Sequence, residues 1–311
     1  MKKLFVFGSI NMDLIFTVKR LPKKGETIKS EAFTMAPGGK GANQAVAAAK
    51  QNLKTIMLGS LGTDLLSRQL KAGLEANQVD TAHIREIEGK TAGIAGILLE
   101  ETDNRIIIDA GANAFHDSES LKAILRSEAS KDDILLAQLE VPINTIKELF
   151  KQAKILGMTT ILNAAPAEKL PESLYPLIDM MILNETECET ISEMSPDTPE
   201  NIKQATGRIL EKGVKSVVLT YGANGSAYHD GTRHISMPAF KVEASDTTGA
   251  GDAFIGVLTS ALARGLKIEA ALRRASAAGA MTVLEKGAQT ALPTRSGVDA
   301  FLKRHTDSEE Q

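Results

Sequence analysis

Leu4-Phe5-Val6-Phe7-Gly8-Ser9-Ile10 is an apolar run of aromatic and β-branched residues that stops at a glycine and polar cluster. Such a run predicts a buried strand. Comparable runs recur at 55–59, 133–137, 159–162, 180–183 and 214–219, each separated from the next by a helix-length segment. Parallel strands with helical crossovers have this rhythm, because each crossover must carry the chain back along the sheet and leaves a helix on its face. The expectation is an α/β fold: a three-layer α/β/α sandwich around a mostly parallel central sheet.

Two regions break the rhythm. Residues 13–35, with Pro22 and Gly25, and residues 91–109, with an alternating isoleucine-rich pattern, contain no helical segment and predict short strands in hairpins. Together they are expected to form a small β-sheet projecting from the main one as a lid or an oligomer contact; surface excursions without a role are the alternative. From Gly249 onward the pattern is helical, over 249–264, 268–284 and about 297–303. The chain therefore reads as one domain over 1–304 with a discontinuous lid from 13–35 and 91–109, followed by a polar tail, 305–311, expected to be disordered.

The 311 residues are 43% hydrophobic and 24% charged, with a formal net charge of -3, which excludes wholesale disorder and offers no basic field for nucleic acid. A single cysteine, Cys188, excludes an intramolecular disulfide and leaves too few ligands for a Cys-based zinc site. The apolar run at 4–7 is too short for a signal segment, and no stretch is long enough to span a bilayer. A cytoplasmic protein with no nucleic-acid or membrane partner is expected.

Asp246-Thr247-Thr248-Gly249-Ala250-Gly251-Asp252 runs directly into a helical pattern. Small residues at a helix start present backbone N–H groups without side-chain cover, and the helix dipole adds positive potential there. The stretch Gly249, Ala250 and Gly251 is thus suited to the charge on a phosphoryl group in flight, and Asp252, in the first turn, is expected to be ionised and to accept a hydroxyl proton. A plain glycine-started helix with a dipole-complementing Asp is the alternative. Pro37-Gly38-Gly39-Lys40-Gly41-Ala42-Asn43-Gln44-Ala45 opens an Ala-rich helix and reads as an anion or polyol cradle, or as a tight turn with a solvated Lys. It has neither Walker A nor dinucleotide-fingerprint spacing, which weakens a dehydrogenase reading.

Asn11 and Asp13 follow the first strand, where open α/β sheets present ligand contacts, and an Asp there can accept from two neighbouring hydroxyls of a diol. Glu140 follows the 133–137 strand in the same way, with surface exposure as its alternative. Asn184 and Glu187 begin a helix and suit either a phosphate or magnesium-water contact or a reciprocal N-cap. Thr220-Tyr221-Gly222-Ala223-Asn224-Gly225 reads as backbone contact for a nucleotide or as a hairpin turn.

Taken together and in this order, these segments resemble the ribokinase family of ATP-dependent sugar kinases over nearly the whole chain. The G-G-K-G-A-N-Q-A stretch from Gly38 to Ala45 and the D-T-x-G-A-G-D stretch ending at Asp252 carry most of the resemblance, joined by the Asn11-x-Asp13 pair. It implies that Asn11, Asp13, Gly39, Lys40, Gly41, Asn43 and Glu140 hold a sugar while Asp252 deprotonates the attacking hydroxyl. It further implies ATP contacts from Asn184, the 220–225 loop, Gly251 and Ser276, with Glu187 steering magnesium. A potassium activator would be held by Asp246, Thr248, Thr282, Glu285, Gly287 and Ala291, several through backbone oxygens. The lid would cover the sugar and pair two subunits as a homodimer. The chain departs from the family pattern at Asn163-Ala164-Ala165-Pro166-Ala167, in place of N-P-A-P-A, and at Ser276, where a His or Asn often borders the adenine. The implied reaction is ribose plus ATP giving ribose 5-phosphate and ADP. A kinase for another pentose, deoxyribose or a nucleoside is the nearest rival, and a non-catalytic sugar-binding protein on the same fold is a rival of another class.

Overall fold

The computed structural model describes residues 2–100 and 103–307. Strand β1 (Leu4–Phe7) begins the central sheet, and the chain leaves it at once for β2 (Asn11–Val18) and β3 (Ala32–Gly38) before returning through helix α1 (Lys40–Ala49) to β4 (Thr55–Leu61). Helix α2 (Leu65–Ala76) leads to the short β5 (Ile84–Glu86), then to β6 (Gly93–Glu100) and β7 (Asp103–Asp109). Alternation follows through α3 (Ser118–Glu128), β8 (Ile134–Gln138), α4 (Ile143–Ile155), β9 (Thr159–Asn163), β10 (Met180–Asn184), α5 (Glu185–Ser192), α6 (Pro199–Glu211) and β11 (Val217–Thr220). A hairpin, β12 (Ser226–His229) and β13 (His234–Met237), precedes α7 (Ala250–Ala263), α8 (Ile268–Thr282), the single turn α9 (Ala288–Ala291) and α10 (Arg295–Asp307).

The central sheet has the order β13-β12-β11-β10-β9-β8-β1-β4-β5, parallel from β11 to β5 and antiparallel at β12 and β13. Alternate residues of β1 build two cores. Leu4 and Val6 pack with residues of α1, α7 and α8, whereas Phe5 and Phe7 pack with residues of α3, α4 and α6. A strand whose two faces are both covered reads as a continuous apolar run, which is why β1 was legible. The strands β5, β12 and β13 were not, because they are three or four residues long and mix polar with apolar side chains.

The two helix-free regions form a second, four-stranded sheet in the order β3-β2-β6-β7, two hairpins joined by the parallel pair β2 and β6. Period-two alternation places Asn11 and Asp13 on one face of β2 and Leu14 and Phe16 on the other. Phe16 faces Phe33 across the β2–β3 pair, with ring centroids 4.8 Å apart.

Helix α10 is longer than the sequence suggested, and 305–307 belong to it rather than to a tail. Its last turns are held by packing: the His305 ring stacks on Phe301 at 4.1 Å, and both rings meet Phe240 at 5.2 Å. The remainder of the expected tail, 308–311, lies outside the described residues. Among the described residues no helix is long and apolar enough to cross a membrane.

Candidate active site

The parallel strands bring their carboxyl ends to one edge, and β1 is where the order turns, with β4 and β5 on one side and β8 to β13 on the other. Crevices form at such a point. Ser9 follows β1, Gln138 ends β8 with Glu140 two residues on, Asn163 ends β9, Asn184 ends β10 and Thr220 ends β11. Helix α1 is pressed onto this edge because glycines let backbones meet: a β-carbon on Gly41 would stand 2.6 Å from the Gly8 carbonyl carbon. Gly39, which precedes the helix, has φ of 87°, a left-handed conformation that side chains disfavour.

Asp252 lies in the first turn of α7, and both of its carboxylate oxygens are held. The Asn43 amide nitrogen donates to Oδ2 at 2.9 Å, and the Gln44 amide nitrogen donates to Oδ1 at 2.9 Å. Gln44 is itself fixed, donating to Asn163 Oδ1 at 3.0 Å and accepting from Gln138 Nε2 at 2.7 Å. Asn43 accepts at Oδ1 from Gln289 Nε2 at 3.0 Å. Burial pushes the Asp252 carboxyl above the ordinary value, opposed by the Lys40 ammonium and the Gln44 and Asn43 amides and reinforced by Glu140. Desolvation therefore outweighs the pull of the helix dipole toward the ionised form.

Glu140 is half-buried. Its Oε2 accepts from the Ser9 hydroxyl and from the Lys40 backbone N–H at 3.2 Å, at the positive end of α1. Asn11 is buried, its Oδ1 accepting from Asn113 Nδ2 at 2.7 Å. Asp13 has its pKa raised to about 7 by burial first, then by the charges of Glu140 and Asp252. The charges of Asp13, Glu140 and Asp252 thus act on one another, and those of Glu140 and Asp252 act on Lys40. Burial alone would lower the Lys40 ammonium, but Asp252, Glu140 and Glu187 together raise it.

At the start of α7, Gly249 has φ of 78°, and its N–H, with those of Gly251 and Asp252, has no acceptor among the described residues. Ala250 differs from the sequence expectation, since its N–H donates to the Thr247 carbonyl at 3.3 Å. A cavity of about 190 Å³, lined by Lys40, Asn163, Glu187, Gly249, Gly251 and Asp252 among others, lies directly in front of these groups. Beside it is a cleft of about 570 Å³, lined among others by Gly222, Ala223, Gly225, Phe240, Val242 and Ser276. The two share Asn184, Thr220 and Gly251, so an elongated ligand could occupy both.

Asn184 and Glu187 form a reciprocal cap: Asn184 Oδ1 accepts from Glu187 N at 2.9 Å, and Glu187 Oε2 accepts from Asn184 N at 2.8 Å. Both also line the smaller cavity. Burial raises the Glu187 carboxyl, with the Asn184 N–H and Lys40 opposing. The 220–225 loop is a turn between β11 and β12. Within it the Tyr221 hydroxyl donates to the Ser226 carbonyl at 3.1 Å, and Thr220, Gly222, Ala223 and Gly225 line the cleft.

Asp246 ties two loops together. Its Oδ1 accepts from the Thr248 N–H at 2.9 Å and hydroxyl at 2.7 Å, and its Oδ2 accepts from Gly287 N at 2.9 Å. Burial would raise this carboxyl, but these bonds hold it below the ordinary value. Thr282 turns its hydroxyl to the Ala278 carbonyl at 2.9 Å, and its backbone oxygen accepts from the Glu285 N–H at 3.3 Å. Among the described residues no cluster of three or more His, Cys, Asp or Glu side chains could hold a metal ion.

Ser9, Gln44, Gln138 and Asn163 were not assigned to the site from sequence, and Gln289 entered only through the backbone of the 286–289 loop implied for potassium. Each is a polar residue that only its distant partner marks as part of the site.

The model of the pfkB family carbohydrate kinases matches residues 1–295. A Bacillus subtilis ribokinase is 37% identical over 303 residues, covering 97% of this chain and 100% of the relative. A Salmonella typhi deoxyribokinase is 34% identical over 299 residues, covering 96% and 97%. The structure of an Arabidopsis thaliana ribokinase complexed with ribose and ATP superposes with a TM-score of 0.90 at 34% identity, over 97% of this chain and 99% of that one. The site geometry and these likenesses agree, and the chain belongs to the pfkB family of carbohydrate kinases.

Proposed function

We propose that this carbohydrate kinase transfers the γ-phosphoryl group of ATP to the 5-hydroxyl of ribose. The observation that carries the reading is Asp252, held at both oxygens in front of unpaired helix N–H groups and beside Lys40. Asn11, Asp13, Asn43 and Glu140 would hold the sugar, and the nucleotide would lie in the larger cleft with its terminal phosphate in the smaller cavity. The sugar oxygen forms a bond to phosphorus as the bond to ADP breaks, and its proton passes to Asp252. Lys40 and the amides of Gly249, Gly251 and Asp252 stabilise the charge spread over the transferring group. Closure of the lid would exclude water as a competing acceptor.

Magnesium bound with ATP would supply charge neutralisation of the phosphates. Glu187 suits an indirect role, since both its oxygens already accept from Asn184 and retain further lone pairs for ordered water. The two loops joined by Asp246 would hold a hard monovalent cation such as potassium through the Asp246 carboxylate and the backbone oxygens of Thr248, Thr282, Glu285, Gly287 and Ala291. The lid face turned away from Asp13 exposes Phe16, Phe33, Met35 and Ile107, the last at 74%, and would bury them in a homodimer. Replacing Ile107 with Lys should then shift sedimentation toward the monomer. A cytoplasmic location fits the lone buried thiol of Cys188.

Deoxyribose is the second reading, favoured by the Salmonella typhi relative. A carboxylate aimed at a diol loses a partner when one hydroxyl is missing, so Asp13 should favour ribose. ADP release measured with ribose, deoxyribose and adenosine, in potassium and in sodium, tests the proposal. Fastest turnover with ribose supports it; a faster rate with deoxyribose would move the assignment, and no release above the water background would remove it. Equal rates in the two salts would dismiss the cation site.

A further inference from the structure

Gln289 belongs to α9, a single turn between α8 and α10, yet its side chain reaches a residue 246 positions earlier. It is buried, as is its partner Asn43. The turn is anchored from the other end of α1, where Lys50 Nζ donates to the Gln289 and Leu292 carbonyls at 3.0 Å each and Gln51 Nε2 donates to the Pro293 carbonyl at 2.9 Å. The two residues just past α1 therefore hold the α9 turn, and the turn holds the first half of α1 through Gln289.

An Asn side chain can present either its oxygen or its nitrogen in a given direction, and the shapes are nearly the same. Asn43 must present nitrogen to Asp252 to donate a hydrogen bond. Its oxygen then points to Gln289, which offers an N–H. We propose that Gln289 is a positioning residue that locks the Asn43 amide with its nitrogen toward Asp252, so that the carboxylate is held ready to accept a proton. With this lock, one N–H of Asn43 serves Asp252 and the other stays available to a bound hydroxyl. If Asn43 turned over, its oxygen would face Asp252 Oδ2, and the acid would be held protonated and unable to act as base. The other charges facing Asp252 are Lys40, Glu140, Asp13 and Glu187, and Gln289 touches none of them through any observed hydrogen bond.

This inference rests on the proposed role of Asp252, and its test separates the two. In Gln289→Glu the new carboxylate can only accept, so Asn43 should turn its nitrogen toward residue 289. We expect kcat to fall on the order of 10²-fold, the scale of a lost general base, with KM for ATP unchanged. The acid limb of the kcat profile should move to higher pH. Gln289→Met, which fills the space without donating, should cost roughly tenfold with a smaller movement of the limb and covers the case in which the Glu variant fails to fold. A carbon-13 carboxyl titration of Asp252, assigned with Asp252→Asn, should move upward in the same variants whether or not turnover is seen. Failure of the kinase reading would show as no turnover in the unsubstituted protein, leaving the titration to decide the positioning role. Folded variants whose Asp252 titration and acid limb match the unsubstituted protein would overturn the inference.

Discussion

Gly38 stands against the carboxylate of Asp13 so closely that a β-carbon on it would lie 2.3 Å from Oδ2 and 2.5 Å from Cγ. The glycine is therefore a condition for where Asp13 points. Gly38→Ala should displace that carboxylate and raise KM for the sugar by about tenfold or more, the factor of ~1.4 kcal/mol for one compromised polar contact, with little change in KM for ATP. Sugar titrations of initial rate and of binding check this, and an unchanged sugar affinity would place Asp13 outside the sugar site.

Asp252→Asn removes the proton acceptor while keeping the shape. Turnover should drop by at least ~10²-fold, with sugar and nucleotide binding retained in part, as measured by ADP release and by calorimetry. Near-normal turnover would remove Asp252 from the mechanism.

Asp13 titrates at about 7 in the folded chain against an ordinary value of 3.8, because burial and two neighbouring acids disfavour its charge. Between those values the folded state keeps a proton that the unfolded state has lost, so this group's contribution to stability is full below the lower value and declines as pH rises toward 7. Asp13→Asn abolishes that titration. The melting temperature of the variant should gain on that of the unsubstituted protein from pH 4 to 7 and hold its lead above; a constant difference would contradict the raised value.

Gly256 is the contact between α7 and α1, where a β-carbon would meet the Ala47 β-carbon at 2.4 Å and the Gln44 carbonyl oxygen at 2.8 Å. Gly256→Ala would gain about 0.5–1 kcal/mol of helix propensity. Overpacking against two stiff neighbours costs typically 1–3 kcal/mol, so a net loss of melting temperature is expected. Because Gln44 holds Asp252, turnover should fall as well. Both are read by thermal melts and rate measurements on the same preparation.

The parallel core and the position of Asp252 could be read from one dimension. Runs such as 4–7 are apolar because both faces are covered, and small residues before a helical period mark an open helix start wherever they occur. The alternation of β2 likewise separates Asp13 from Phe16 without reference to anything else. What needed the folded chain were the relations across it: Gln289 on Asn43, Gln138 on Gln44, and Asn113 on Asn11, spanning 246, 94 and 102 residues. The upward pKa shifts of Asp13 and Asp252 belong to the same class, since burial and neighbouring charge come from residues far away in the chain. Local backbone preference and side-chain periodicity act within a few residues and so are written in sequence, whereas an amide partner or a desolvated acid exists only after distant segments have packed.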